Sequence, residues 1–190
     1  DRPRIDYTDT SDGVLLLEKA ATNSVLYSQE LDNSWWLKSN CSIIANLAIS
    51  PDGALNADKL TTSVSTTGVL YKTSLTTGSL SFFAKDVSLS AGKFRIAVDG
   101  VGFALWNKDG TLYSVTGGTA SGGINYGNGW FRFSYNVTSG SVVNYGIDNP
   151  TGTESIFVYG LQNEVSATQS SSYIPTQGSA STRVAETANN

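Results

Sequence analysis

Alternation of apolar with polar residues, repeated in one short segment after another, constrains this chain more than any other feature. In residues 93–99, Phe94, Ile96 and Val98 fall on one side and Lys93, Arg95, Ala97 and Asp99 on the other. In residues 130–137, Phe131, Phe133, Tyr135 and Val137 oppose Trp130, Arg132, Ser134 and Asn136. A two-residue period sends successive side chains to opposite faces of a strand, so each segment has a core face and an open face. Residues 80–85 follow the same pattern, and further strand candidates are 14–17, 24–28, 41–49, 57–60, 69–75, 102–106, 111–115, 141–147 and 155–162. Most are separated by Gly, Asn, Asp or Pro, and no window carries apolar residues at helical spacing. The reading is an all-β protein, an antiparallel β-sandwich of the jelly-roll type.

At 190 residues the chain is long enough for one domain with a full core and needs no cross-links. We assign residues 1–165 to the sandwich and 166–190, rich in Ser, Thr and Ala, to an extended C-terminal segment packed on its surface. Asp109-Gly110 marks a hairpin turn, and the five glycines within 116–128 predict a mobile loop over one sheet edge. The core is expected to contain Phe82, Phe94, Ile96, Phe131, Phe133 and Tyr135. The chain starts at Asp1 and has no Met, which reads as a piece of something longer.

The chain contains no His, which removes the commonest general base, the commonest metal ligand and every Ser-His or Cys-His nucleophile. Cys41 has no partner for a disulfide or a zinc site. A net charge of -4 with scattered basic residues argues against nucleic acid. Uninterrupted apolar runs of four residues, such as 14–17, argue against a membrane span. Paired carboxylates are the hydrolytic device that works without His, and no motif ties two of the 16 Asp and Glu residues together, so the chain reads as a non-enzyme. No cofactor is implied. A structural Ca²⁺ on Glu18, Asp58 or Glu164 with loop carbonyls is compatible with a jelly roll, and ordinary surface carboxylates explain these residues as well.

Sugar recognition needs flat aromatic faces for pyranose C–H surfaces and planar polar groups for hydroxyls, mounted on a rigid sheet. Trp106 is the leading ligand contact: if Phe103 and Leu105 point inward, Trp106 falls on the open face beside the hairpin. The alternative is a ring capping the sheet edge. Arg95, Asp99, Arg132 and Asn136, with Phe83, share open faces of strands taken as neighbours and would meet hydroxyls or an acidic sugar. Of the adjacent pair Trp35 and Trp36, Trp36 is expected to pack and Trp35 to stay available to ligand. Trp130 reads as a structural plug.

A series of phrases resembles the carbohydrate-binding-module-like, concanavalin-A-like jelly-roll domains of tailed-phage virion and tail proteins. It runs from Arg2-Pro3-Arg4-Ile5-Asp6-Tyr7 and Gly13-Val14-Leu15-Leu16-Leu17-Glu18 through Ser50-Pro51-Asp52-Gly53 and Ser81-Phe82-Phe83-Ala84-Lys85. It continues with Gly127-Asn128-Gly129-Trp130-Phe131-Arg132 and Tyr159-Gly160-Leu161-Gln162-Asn163-Glu164, and ends in Ser172-Tyr173-Ile174-Pro175-Thr176 and Thr182-Arg183-Val184-Ala185. The resemblance implies the jelly-roll fold and a virion, extracellular setting. It also implies attachment to a bacterial surface polysaccharide, other virion subunits as partners, and a homo-oligomer as an open option. A structural or assembly domain without glycan ligand is the alternative it leaves. It implies framework roles for Trp36, Trp130, Gln162 and Tyr173. The pattern usually has an apolar residue where Asn163 stands, so the last strand is expected to end early or turn Asn163 to solvent.

Overall fold

The computed structural model describes residues 5–6, 14–15, 17–63 and 65–187. The strands are β1 (Ile5–Asp6), β2 (Val14–Leu15), β3 (Ala21–Asn23), β4 (Leu37–Ser39), β5 (Cys41–Ile49), β6 (Leu55–Thr62), β7 (Gly68–Lys72), β8 (Gly78–Asp86) and β9 (Lys93–Val98). They continue as β10 (Gly102–Trp106), β11 (Leu112–Thr116), β12 (Thr119–Ala120), β13 (Ile124–Gly127), β14 (Trp130–Asn136), β15 (Val143–Asp148), β16 (Ser155–Val165) and β17 (Ser181–Arg183). Among the described residues there is no helix.

Two antiparallel sheets pack as a jelly-roll sandwich. One has six strands in the order β11-β10-β9-β15-β7-β4. The other is organised around β16, which pairs β8 along one side; β8 in turn pairs β14, which carries β12 and β13. On its other side β16 pairs β6 at residues 155–158 and β3 at Glu164, with β5 beyond β6 and β17 beyond β3.

The alternation explains the core. Phe94, Ile96 and Val98 of β9, Ala104 and Trp106 of β10 and Tyr145 of β15 meet Phe82 of β8 and Phe133 and Tyr135 of β14, all nearly solvent-free. Phe133 is the hub, with ring centres 4.8 Å from Phe94, 4.9 Å from Trp106 and 5.7 Å from Phe82. Phe131 shares this face but is only partly buried at its rim.

Three expectations change. Residues 24–28 form no strand; they meet the C-terminal segment through the bridge Tyr27↔Gln177 and the Gly178 N–H to Leu26 carbonyl bond at 2.8 Å, and β16 through the Ser24 N–H to Asn163 carbonyl bond at 3.0 Å. The glycine tract is not a free loop: β12 and β13 both pair with β14. Its glycines permit close approach, since a Cβ on Gly123 would lie 2.5 Å from the Phe133 ring. Asn163 is fully buried inside β16, which runs on to Val165. Its Nδ2 donates to Ser24 Oγ at 2.7 Å and the Thr76 carbonyl at 2.9 Å, the partners that let a carboxamide occupy this position.

The chain's last segment is tied down by polar contacts. Tyr173 Oη and Ser28 Oγ are 2.6 Å apart, Gln162 Oε1 accepts the Ile174 N–H at 2.7 Å, and Arg183 pairs with Glu18 at 3.0 Å.

Because Trp106 is buried against Phe133, Trp106→Ala should lower stability by about 3–5 kcal/mol. Denaturant unfolding checks this, and an unchanged midpoint would place the ring outside the core.

Candidate functional site

The open face of the six-stranded sheet is set by the core: once Phe94, Trp106 and Tyr145 point inward, their neighbours point out. Strand register then arranges the outward residues in rows across the sheet. One row runs Phe103, Ala97, Asn144, Tyr71 and Leu37; the next runs Leu105, Arg95, Gly146, Val69 and Ser39. Lys93 and Asp148 stand opposite each other in the row beyond.

Arg95 faces Gly146, whose missing side chain lets the arginine lie across β15. A Cβ at Gly146 would run into the Gly68 carbonyl oxygen, so no other residue fits. The guanidinium therefore reaches the outward residues on either side: Nε donates to Asn144 Oδ1 at 3.0 Å and Nη1 to Asp148 Oδ1 at 2.6 Å. Thr67 Oγ1 also donates to Asp148 Oδ1, at 3.1 Å, and Asn144 Nδ2 donates to Asp99 Oδ1 at 2.8 Å. The result is a connected polar ladder from Asp148 through Arg95 and Asn144 to Asp99. Charge-assisted bonds of this kind fix side chains in place.

Aromatic rings flank the ladder. Phe103 lies 5.8 Å from the Arg95 guanidinium on one side, and Tyr71 stands on the other. The two are three strands apart, about 14 Å at the ~4.8 Å spacing of neighbouring strands. Beside Tyr71 and the Arg95 guanidinium is a groove of about 450 Å³ lined by Ser39, Thr67, Val69, Tyr71, Arg95, Asp99 and Asn144. A larger depression of about 770 Å³ lies between residues 18–22 and 164–171, and no aromatic side chain lines it.

Of the residues expected at a site, the structure brings Arg95 and Asp99 together. Trp106 is corrected: its pairing with Phe94 in register turns it to the inner face, it is fully buried, and Nε1 donates to the Ser121 carbonyl at 2.6 Å. Phe103 and Leu105, expected inward, take the open face. Arg132 and Asn136 are also corrected. β9 and β14 belong to different sheets and meet through their core faces, so their open faces point in opposite directions.

Arg132 is buried, with Nη2 donating to Ser81 Oγ at 3.0 Å and its guanidinium 5.3 Å from the Phe83 ring. Asn136 Oδ1 accepts from Ser79 Oγ at 2.6 Å. This outer face is closed by an aromatic cluster of Phe83, Trp130 and Tyr159 under Tyr173. Trp130 Nε1 donates to the Ile49 carbonyl at 3.1 Å. Trp35 is half-buried, edge-on to Trp36 at 4.8 Å with Lys72 Nζ 4.5 Å over its ring, and does not line the groove.

Asn144 and Tyr71 are groove residues that the sequence reading missed, with Phe103 against the Arg95 guanidinium and Asp148 behind them. The run Val143 to Asp148 carried the signal: Asn144, Gly146 and Asp148 share one parity, opposite Val143, Tyr145 and Ile147.

The carboxylates considered for Ca²⁺ do not converge. Glu164 Oε1 accepts from Gln162 Nε2 and the Ser171 N–H, and Glu18 accepts the Ser172 N–H. Asp58 lies elsewhere, accepting the Leu31 N–H at 2.9 Å and the Asn46 N–H at 2.8 Å. Among the described residues no group of three or more Asp, Glu, Cys or His could hold a metal.

No protein-family model and no curated protein matches the sequence. Among solved structures, the chain is similar to a CBM29-2 mutant complexed with cellulohexaose, at TM-score 0.46 and 10% identity, covering 79% of this chain and 94% of that one. A second mutant, of a carbohydrate binding module family 29, gives TM-score 0.45 and 12% identity over 79% of this chain and 95% of that one. The likeness is one of fold.

Burial pushes the Asp58 carboxyl up to about 6, against the two backbone N–H bonds that favour its charged form; Asp32 and Glu30 add to the rise. An unfolded Asp titrates near 3.9, so between about pH 4 and 6 the folded state binds the extra proton. Asp58 should therefore make stability fall as pH rises through this window. Thermal melting against pH should show a shallower decline for Asp58→Asn than for wild type; parallel curves would contradict this.

Proposed function

We propose that this domain is a non-catalytic glycan-binding module whose site is the groove on the open face of the six-stranded sheet. The observation that carries this reading is the polar ladder Asp148-Arg95-Asn144-Asp99 set between Phe103 and Tyr71. Such a surface meets both needs of a sugar: fixed planar hydrogen-bonding groups for hydroxyls and aromatic faces for the apolar C–H surface.

The same geometry favours binding over hydrolysis. A glycosidase needs a carboxyl held protonated near neutral pH opposite a second carboxylate. Asp58 is a carboxyl raised by burial, and it is tied to the Leu31 and Asn46 amides and does not line the groove. Asp148 is held in an ion pair.

A virion setting, with a bacterial surface polysaccharide as ligand and other virion subunits as neighbours, is part of the proposal and rests on the sequence phrases alone. A second reading, an assembly domain without ligand, has its own observation: Ile44, Leu47, Ile49 and Leu55 are exposed around the β5–β6 hairpin, with Ile49 directly opposite Leu55. Exposed apolar clusters of this kind mark contact surfaces.

A glycan array separates the two readings. Bound glycan should be lost with Tyr71→Ala, weakening affinity by about tenfold or more, or at least about 1.4 kcal/mol, without a drop in melting temperature. Silence on every glycan, together with a change of oligomeric state for Ile49→Lys, would favour assembly. Polysaccharide incubated with the domain should release no reducing ends; release abolished by one Asp or Glu substitution would show an enzyme.

A further inference from the structure

We propose that the groove selects uncharged glycans and rejects acidic ones, with Asp99 setting that choice. The inference rests on the glycan-binding reading above and adds the ligand class to it.

The charges on this face are already matched. Arg95, the sole cation lining the groove among the described residues, gives Nη1 to Asp148 at 2.6 Å and Nε to Asn144 at 3.0 Å. Its side chain is 19% exposed, and the guanidinium rests against Phe103. Lys93, one row away, donates to the Ala91 carbonyl at 2.7 Å and lies 5.1 Å from the centre of the Tyr113 ring. Two cations, Lys93 and Arg95, thus stand with two carboxylates, Asp99 and Asp148, on one stripe.

With Asp148 bound to Arg95, the charge left facing the groove is that of Asp99. Asp99 is solvent-exposed, and its Oδ1 accepts one bond from Asn144. A glycan carboxylate or sulfate entering here would meet Asp99 and would have to compete with Asp148 for Arg95. Partial burial of two like charges without a counter-charge is costly. A sugar hydroxyl instead donates to Asp99 in a charge-assisted bond, while the remaining guanidinium N–H groups serve ring or hydroxyl oxygens. The chain's net charge of -4 supplies no long-range attraction for a polyanion.

Salt dependence gives an independent readout. Recognition of a polyanion by cations weakens steeply with ionic strength, whereas hydroxyl recognition does not. The experiment is titration of the 190-residue chain with a neutral β-glucan, a neutral mannan, polygalacturonate and hyaluronan, each at roughly 0.05 M and roughly 0.5 M salt. Wild type, Asp99→Lys and Tyr71→Ala are compared, with melting temperatures as the control for folding. Wild type should bind a neutral polymer with less than about twofold change between the two salt concentrations, and acidic polymers at least about tenfold more weakly. Asp99→Lys should weaken neutral binding by about tenfold and strengthen acidic binding in a salt-sensitive way. Tightest wild-type binding to an acidic polymer, lost with Tyr71→Ala, would overturn the selectivity and leave the glycan reading standing. Binding to none of the four polymers at either salt concentration would overturn both.

Discussion

The contact of Phe133 with Phe94 and Trp106 is the interaction on which the rest of the structure depends. These rings come from different sheets and meet at the centre of the sandwich, with Phe133 4.8 Å from Phe94 and 4.9 Å from Trp106. Burying three aromatic rings at one point is a large gain in apolar contact. It also sets direction. With Phe94 and Trp106 facing Phe133, Arg95, Phe103 and Leu105 have only the opposite face of the sheet, and the groove follows from strand parity.

The two outer faces then diverge in character. On the sheet containing β14, Phe83, Trp130 and Tyr159 form a second apolar cluster closed by Tyr173, and Arg132 is buried beside Phe83. The C-terminal segment serves as that closure, held by Ser28, Gln162 and Glu164. On the six-stranded sheet the outward side chains are bonded to one another instead. Arg95 lies over Gly146 and joins the buried Asn144 to Asp148, so the polar groups are preorganised and Asp99 is the member of the ladder left exposed. One face is thus closed by the protein's own chain, and the other keeps an open groove about three strands wide.

The alternation made the sandwich legible, because 93–98 and 130–136 each separate a strongly apolar parity from a polar one. It failed at Phe103 to Trp106, where all four residues are apolar and parity alone cannot choose a face; pairing of Trp106 with Phe94 made the choice. It also failed to tell which strands are neighbours. Arg95 and Arg132 look equivalent along the chain, but the former belongs to β9 beside β15 and the latter to β14 beside β8. Asn144 and Asp148 were readable in the alternation of β15, and their role was not, since it depends on Arg95 crossing at a glycine. The glycine tract of 116–128 misled because glycine serves close packing against Phe133 as well as mobility.

Ligand is proposed to meet the open face of the six-stranded sheet. Backbone amide chemical-shift mapping during titration with a neutral oligosaccharide tests it most directly. Shifts should concentrate at Tyr71, Arg95, Asp99, Phe103 and Asn144, with the amides of Arg132, Asn136 and Trp130 unmoved. Shifts confined to the Arg132 and Trp130 face, with the groove residues silent, would contradict it.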